Sequence, residues 1–89
     1  MRAIITVIGQ DRIGIIARVT AILAECRVNV LDISQTILQE FFTMTMLVDL
    51  NAMEISLEEL SRKLKEAGEE MGLSIRVQHE ELFRSMHRI

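Results

Sequence analysis

Residues 9–19, with the sequence GQDRIGIIARV, lie where one pattern of apolar residues gives way to another. The preceding residues 2–9 (RAIITVIG) are rich in β-branched side chains and end at a glycine, which predicts a strand with two largely apolar faces. From Ile15 the apolar residues recur at helical spacing, which predicts a helix from about Gly14 to Cys26. Its apolar stripe consists of Ile15, Val19, Ile22 and Cys26, flanked by Ile16 and Leu23. The stretch therefore predicts a strand, a turn and a helix in succession.

A hairpin and a second helix follow in the sequence. Residues 29–38 alternate between apolar and polar side chains, which predicts a half-buried strand with one polar face. Residues 41–50 alternate in the same way, and the gap between the two segments is short, so we expect an antiparallel hairpin. Ser56 and Glu59 have the spacing of a capping box, and Gly72 stands where a glycine commonly terminates a helix. The second helix should therefore begin at Ser56 and end at Gly72.

Two further segments complete the chain. Residues 73–79 alternate again, which predicts a fourth strand. Residues 80–89 have acids first, bases last and apolar residues at helical spacing, which predicts a short C-terminal helix. Because so short a helix is marginal alone, we expect it to pack on the domain or on a partner subunit. We therefore expect a single domain over residues 1–79 and a helical tail over residues 80–89.

The predicted order of elements is βαββαβ, and this order specifies the fold class. Two split βαβ units form a four-stranded antiparallel sheet with both helices on one face, which is the ferredoxin-like arrangement of the α+β class. The opposite face of the sheet should be rich in hydroxyl groups. The polar residues expected on that face are Thr6, Asp32, Ser34, Thr36, Thr43 and Thr45.

The composition argues against several classes of function. The net charge of −3, the pI of about 5.3 and the lack of Trp and Tyr argue against a nucleic-acid partner, which needs clustered basic and stacking side chains. No apolar run approaches the ~18 residues of a membrane span, and the first residues do not resemble a signal peptide. We therefore expect a cytoplasmic protein without membrane contact. The apolar fraction of 49% suggests that a partner covers some apolar surface.

Catalysis and metal binding are weakly signalled. The first strand–helix loop has no Cys-x-x-Cys pair, Cys26 continues an apolar stripe, and His79 and His87 have no companions at ligand spacing, so we expect no metal and no cofactor. Arg12 and Asn29 loosely resemble the pair that acylphosphatases use. The loop nevertheless lacks the succession of glycines that cradles phosphate, and its acidic side chain would repel an anion. The sequence therefore does not predict an enzyme.

The loop between the first strand and the first helix is better suited to a zwitterion. Gly14 would let backbone N–H groups at the helix start approach a carboxylate closely, and Asp11 can accept from an ammonium group. An amino acid carries both groups. The alternative is structural: Asp11 caps the helix, and Gly14 permits tight packing.

Residues 9–35 (GQDRIGIIARVTAILAECRVNVLDISQ) resemble the opening of an ACT domain. The pattern of that family is a strand, Gly-x-Asp-Arg-Pro-Gly, an aliphatic helix and then Gly-Ile-Asn-Ile before a strand with Asp. The residues that match it are Gly9, Asp11, Arg12, Gly14, Asn29 and Asp32. The resemblance covers nearly the whole chain. The single-domain length is also similar to that of small stand-alone ACT-domain proteins. The ACT segments of glycine-cleavage repressors and formyltetrahydrofolate deformylases also look related.

The resemblance implies a regulatory module that senses amino acids. ACT domains usually pair, often side by side, and small amino acids bind between the first strand–helix loop of one copy and the second strand of its neighbour. Carried over to this sequence, the loop would contribute Asp11, Arg12, Gly14 and Ile15, and the facing strand Asn29 and Val30. The resemblance therefore implies a homodimer that regulates an enzyme or another regulator. The alternative is a protein–protein interaction module with no small-molecule ligand.

The sequence departs from the ACT pattern at two positions. Ile13 replaces the common proline, which leaves the loop less rigid and frees a backbone N–H group. Arg27 stands where a glycine usually ends the first helix, so either Arg27 adopts the left-handed conformation or the helix ends differently. We also expect Arg27 to lie near the ligand groove and to influence what binds there.

Overall fold

The computed structural model describes residues 1–81 and has the order of elements that the sequence predicts. The elements are β1 (Arg2–Gln10), α1 (Ile15–Glu25), β2 (Asn29–Leu38), β3 (Phe41–Asp49), α2 (Leu57–Met71) and β4 (Leu73–His79). The βαββαβ prediction is therefore confirmed. The predicted tail helix falls mostly on residues 82–89, which lie outside the described residues, so that helix stays a prediction.

The four strands form one antiparallel sheet in the order β2-β3-β1-β4. The two central strands, β1 and β3, bury every second side chain under the helices because the strand period is two. The core residues of these two strands are Ala3, Ile5, Val7, Phe42, Met44, Met46 and Val48. Helix α1 adds Val19 and Leu23, and α2 adds Leu60 and Leu64. This packing confirms the ferredoxin-like arrangement with both helices on one face.

Strand β2 differs from the half-buried strand that its alternating sequence predicts. All of its residues are exposed except Val30, which is half-buried. The strand lies at the edge of the sheet, and the helix layer leaves its apolar side chains largely uncovered. A β-bulge between Val30 and Asp32 also takes Leu31 out of the alternation. The predicted apolar face of β2 is present, but a single chain leaves it exposed to solvent.

Both ends of α2 follow local sequence signals, whereas α1 ends in a turn without glycine. The Ser56 hydroxyl accepts a hydrogen bond from the backbone N–H of Glu59 at 3.1 Å, as a helix N-cap does. Gly72 ends α2 in the left-handed conformation with φ of +70°. Helix α1 ends at Glu25, and Arg27 adopts φ of +61° in the turn that follows. The first of the two expectations for Arg27, the left-handed conformation, is therefore the correct one.

The face of the sheet away from the helices carries the hydroxyl groups that the sequence predicts there. Thr45 of β3 lies between Thr6 of β1 and Ser34 of β2 in the strand register, and directly paired residues share a face. By the same register Thr36 lies beside Thr43, and Asp32 beside Leu47. This face also carries exposed apolar side chains, namely Ile8, Leu38 and Phe41.

Candidate functional site

The loop at residues 11–14 connects β1 to α1 at the same end of the sheet as the β2–β3 hairpin. The backbone N–H of Asp11 donates to the carbonyl oxygen of Glu40, in the hairpin turn, at 2.6 Å. This bond fixes the start of the loop against the turn. The far end of β2 and the first helical turn of α1 are thereby brought to the same corner of the molecule.

Gly14 gives the loop its backbone geometry. It is the N-cap residue of α1 and adopts φ of +93°, a conformation that favours glycine. Its carbonyl oxygen accepts the first helical hydrogen bond, from the N–H of Arg18 at 2.9 Å. No side chain caps this helix, so the N–H groups of the first turn are available to a ligand. The alternative in which Asp11 caps α1 is therefore wrong.

Asp11 is exposed beside this helix start. Among residues 1–81 its carboxylate makes no hydrogen bond and no ion pair. The carboxylate can therefore accept hydrogen bonds from a cationic group, and it lies next to backbone N–H groups that attract an anion. These two opposite preferences in one loop are what a zwitterion requires.

Arg12 has a partner within the chain. Its Nη1 atom donates to the carbonyl oxygen of Met71 at 2.9 Å. Met71 is the last residue of α2, where carbonyl groups have no helical partner. The guanidinium group therefore ties the loop to the end of α2. A role of Arg12 in contacting a ligand stays a prediction.

A cleft of about 210 Å³ lies between the loop, the first turn of α1 and the hairpin strands. The residues that line it are Asp11, Arg12, Gly14, Ile15, Ile16, Ala17, Gln35, Ile37 and Phe42. The structure thus brings together all four of the predicted loop residues. Sequence reasoning missed Ile16 and Ala17 of α1 and Gln35, Ile37 and Phe42 of the hairpin strands. A signal for one of them existed, because Gln35 is a polar residue in the apolar series of β2, between Ile33 and Ile37.

Asn29 and Val30, the two site residues predicted on β2, lie at the opposite end of the sheet within the same chain. Asn29 pairs with Asp49, whereas the loop contacts the hairpin after Leu38. The ten residues of β2 separate these two ends by about 30 Å at ~3.3 Å per residue. Asn29 is exposed, and Val30 is half-buried against the core. A ligand held by both the loop and Asn29 therefore requires two copies of the chain.

Arg27 lies at the Asn29 end of the sheet, away from the loop of its own chain. Its Nη1 atom is 4.0 Å from a carboxylate oxygen of Glu54, and both side chains are mostly exposed. Such a surface pair contributes at most about 1 kcal/mol to stability. Any influence of Arg27 on the groove would act on the site of a neighbouring copy.

The described residues hold neither a metal-binding cluster nor a membrane-spanning helix. Among residues 1–81, no three His, Cys, Asp or Glu side chains lie close enough together to hold a metal ion. Within the same residues, neither helix is long and apolar enough to cross a membrane. The single cysteine, Cys26, is buried as a reduced thiol.

Comparison with known proteins gives a consistent family. A family model described as an ACT domain matches residues 2–78. The UPF0237 protein of Clostridium acetobutylicum is 54% identical over 89 residues, which cover all of both chains. The solved structure of an ACT domain protein from Streptococcus pneumoniae is 37% identical, with a TM-score of 0.81 over 93% of each chain.

Two more distant structures share the fold. A formyltetrahydrofolate deformylase from Pseudomonas putida matches 89% of this chain with a TM-score of 0.80 and 17% identity, over 29% of its own length. A putative glycine cleavage system transcriptional repressor matches 89% of this chain with a TM-score of 0.71 and 23% identity, over 47% of its own length. At these identities the likeness extends to the fold alone.

Proposed function

The chain belongs to the ACT domain family, and we propose that it is a stand-alone regulatory module that binds a small amino acid at the interface of a homodimer. The observation that carries the proposal is the cleft at the β1–α1 loop. It combines an unpaired carboxylate at Asp11 with the uncapped N–H groups of α1 behind Gly14. An α-ammonium and an α-carboxylate are complementary to these two groups.

The dimension of the cleft supports a small ligand. Pockets for drug-sized molecules measure about 300–1,000 Å³, and this cleft measures about 210 Å³. An apolar wall formed by Ile37 and Phe42 lies opposite the charged loop. A small molecule with ionic groups at one end and a short side chain at the other suits this lining.

The exposed edge strand supports the homodimer. Ile33 and Ile37 of β2 are 42% and 55% exposed, and Ile16 of α1 is 39% exposed near the start of the helix. An edge strand also presents unpaired backbone N–H and C=O groups. Pairing of β2 with β2 of a second copy would use these groups and place the apolar side chains of the two strands side by side.

Such a pairing also completes the site. Antiparallel alignment of two β2 strands about a two-fold axis puts the Asn29 end of each strand beside the Leu38 end of the other. The loop of each chain lies at that Leu38 end, through the bond between Asp11 and Glu40. Each of the two sites would then contain the loop of one copy and Asn29 and Val30 of its neighbour. The Asn29 amide can donate to a carboxylate or accept from an ammonium group.

The first experiment is a thermal shift assay with each of the twenty common amino acids. A ligand at a hundred times its Kd adds about 2.7 kcal/mol of stability, which raises the Tm of a domain of this size by about 10 °C or more. Asp11→Asn should weaken this shift because it removes the charge that faces the ammonium group. Glu25→Gln, the same charge change at the other end of α1, is the matched control. If none of the amino acids raises the Tm, the sensor proposal fails.

A mixing experiment tests whether two copies share each site. Gly14→Val should abolish the shift by disturbing the loop, and Asn29→Ala should abolish it by removing the neighbour's amide, while circular dichroism stays native. A heterodimer of the two variants has one site with both defects and one site with neither. Ligand response should therefore return when the two inactive variants are unfolded, mixed and refolded together. Variants that remain inactive after mixing would contradict a site built from the loop of one copy and Asn29 of its neighbour.

The second candidate function is protein–protein interaction without a small-molecule ligand. Ile13 at the loop tip is fully exposed, and Leu38 and Phe41 are exposed beside the neighbouring hairpin turn. Clustered exposed apolar side chains are typical of protein interfaces. This candidate gains support if the chain forms a complex and no amino acid raises its Tm. The leading proposal also includes two further points. The module would regulate an enzyme or another regulator, and it would act in the cytoplasm.

A further inference from the structure

Among residues 1–81, Gln35 is the one polar residue lining this cleft that lies outside the β1–α1 loop. It lies on β2 opposite Met44, which is fully buried beneath the helices. The side chain of Gln35 therefore emerges on the helix side of the sheet, where its neighbours along the strand are Ile33 and Ile37. Among residues 1–81 the amide makes no hydrogen bond and is exposed to the cleft.

The charged groups of the cleft are all on its loop side. In the proposed function Asp11 takes the ammonium group and the uncapped N–H groups of α1 take the carboxylate. The wall formed by β2 and β3 is uncharged and consists of Gln35, Ile37 and Phe42. A side chain that extends from the Cα atom of a bound amino acid toward the sheet would meet this wall.

We propose that Gln35 selects the side chain of the ligand, and that the ligand is an amino acid whose side chain carries an uncharged hydroxyl or carboxamide group. This inference rests on the proposed function. A glutamine amide offers both hydrogen-bond donors and an acceptor, which suits a ligand group that both donates and accepts hydrogen bonds. An acidic side chain of the ligand would add a negative charge near Asp11. A basic side chain would find the carboxylate of Asp11 already paired with the α-ammonium group.

The position of Gln35 remains open to a ligand in the proposed homodimer. Pairing of two β2 strands uses backbone groups in the plane of the sheet, whereas side chains stand perpendicular to it. The side chain of Gln35 therefore does not compete with the strand pairing. Thr36, the next residue, lies on the other face of the sheet beside Thr43, which makes it a matched control on the same strand.

The experiment compares the affinities of the wild-type chain for pairs of amino acids that match in shape and differ in polarity. The pairs are serine and alanine, threonine and valine, and asparagine and leucine. We expect binding of the polar member of at least one pair to be about ten-fold tighter, the value of one well-placed hydrogen bond between uncharged groups. Gln35→Met keeps the length of the side chain but removes its amide, so it should abolish this preference. Thr36→Val should retain it.

The outcomes separate this inference from the proposed function. If the wild type binds amino acids but prefers apolar or charged ones, the inference is overturned while the sensor stands. The same holds if Gln35→Met keeps the wild-type preference, or if Thr36→Val loses it equally. If the wild type binds none of the twenty amino acids, both the inference and the proposed function fail. A native circular dichroism spectrum of each variant excludes loss of fold as the cause.

Discussion

Strands β2 and β3 are adjacent, similar in length and similarly patterned, yet they stand in opposite environments. On the helix side of β3, Met44 and Met46 are fully buried. Their register partners on β2, Gln35 and Ile33, are exposed. The difference is position in the sheet, since β3 lies between two strands and β2 lies at the edge. An alternating pattern thus specifies a strand with an apolar face, and the strand order decides what covers that face.

The largest expected effect is the contrast between the paired residues Met46 and Ile33. Met46→Ala should reduce the free energy of unfolding by about 2–5 kcal/mol because it leaves a cavity in the core. Ile33→Ala should cost about 1 kcal/mol or less in the monomer because the side chain is already partly in water. Urea unfolding at a protein concentration that keeps the chain monomeric measures both. Equal losses would mean that β2 is as well packed as β3.

The second effect concerns the two edges of the sheet. Ile33→Lys places a charge on the apolar face of β2 and should convert the proposed homodimer to a monomer, because charges on an edge strand oppose strand pairing. Ser74→Lys makes the same addition on β4, the other edge, and should leave the dimer intact. Light scattering at matched concentrations gives the masses. A dimer that survives the first change and not the second would place the interface at β4.

The smallest effect concerns the turn that leads into β2. Arg27 is left-handed with φ of +61°, which costs a non-glycine residue about 1–2 kcal/mol. Glycine avoids this cost but loses about 0.5–1 kcal/mol of entropy on folding, so Arg27→Gly should stabilise the chain by about 0.5 kcal/mol. Arg27→Lys keeps the charge and the Cβ atom and should give no gain. Thermal unfolding resolves the difference, and a lower Tm for Arg27→Gly would contradict the strain argument.

The sequence predicts the features of the fold that are written locally. The change of period at residues 9–19, the Ser56 cap and the Gly72 terminus each appear where expected. Edge or centre position is a property of the whole sheet, so the exposure of β2 could not be inferred from its own residues. The start of α1 at Gly14 is a similar case, because whether a side chain caps the helix depends on the folded arrangement of the loop.

The candidate site was partly predictable for the same reason. Residues 11–15 are contiguous, and the resemblance to the ACT pattern identifies them directly. Gln35, Ile37 and Phe42 enter the cleft through the hairpin register, which brings distant parts of the sequence to the loop. The partner of Arg12, the carbonyl group of Met71, lies 59 residues away and carries no sequence signal at all.

The bulge at Leu31 shifts the side-chain alternation of β2 by one residue, so that residues before and after it follow different alternations. Upstream of it Val30 faces the helices beside Val48, and downstream of it Asp32 faces the other way beside Leu47. In a regular strand that kept Leu31 in the alternation, Val30 and Asp32 would share a face, and either the valine would leave the core or the aspartate would turn toward it. Deletion of Leu31 would leave Val30 and Asp32 adjacent, with the register and the faces that they already have. A one-residue deletion elsewhere in β2 would instead invert one part of the strand relative to the other, so natural variation in the length of this strand should concentrate at the bulge.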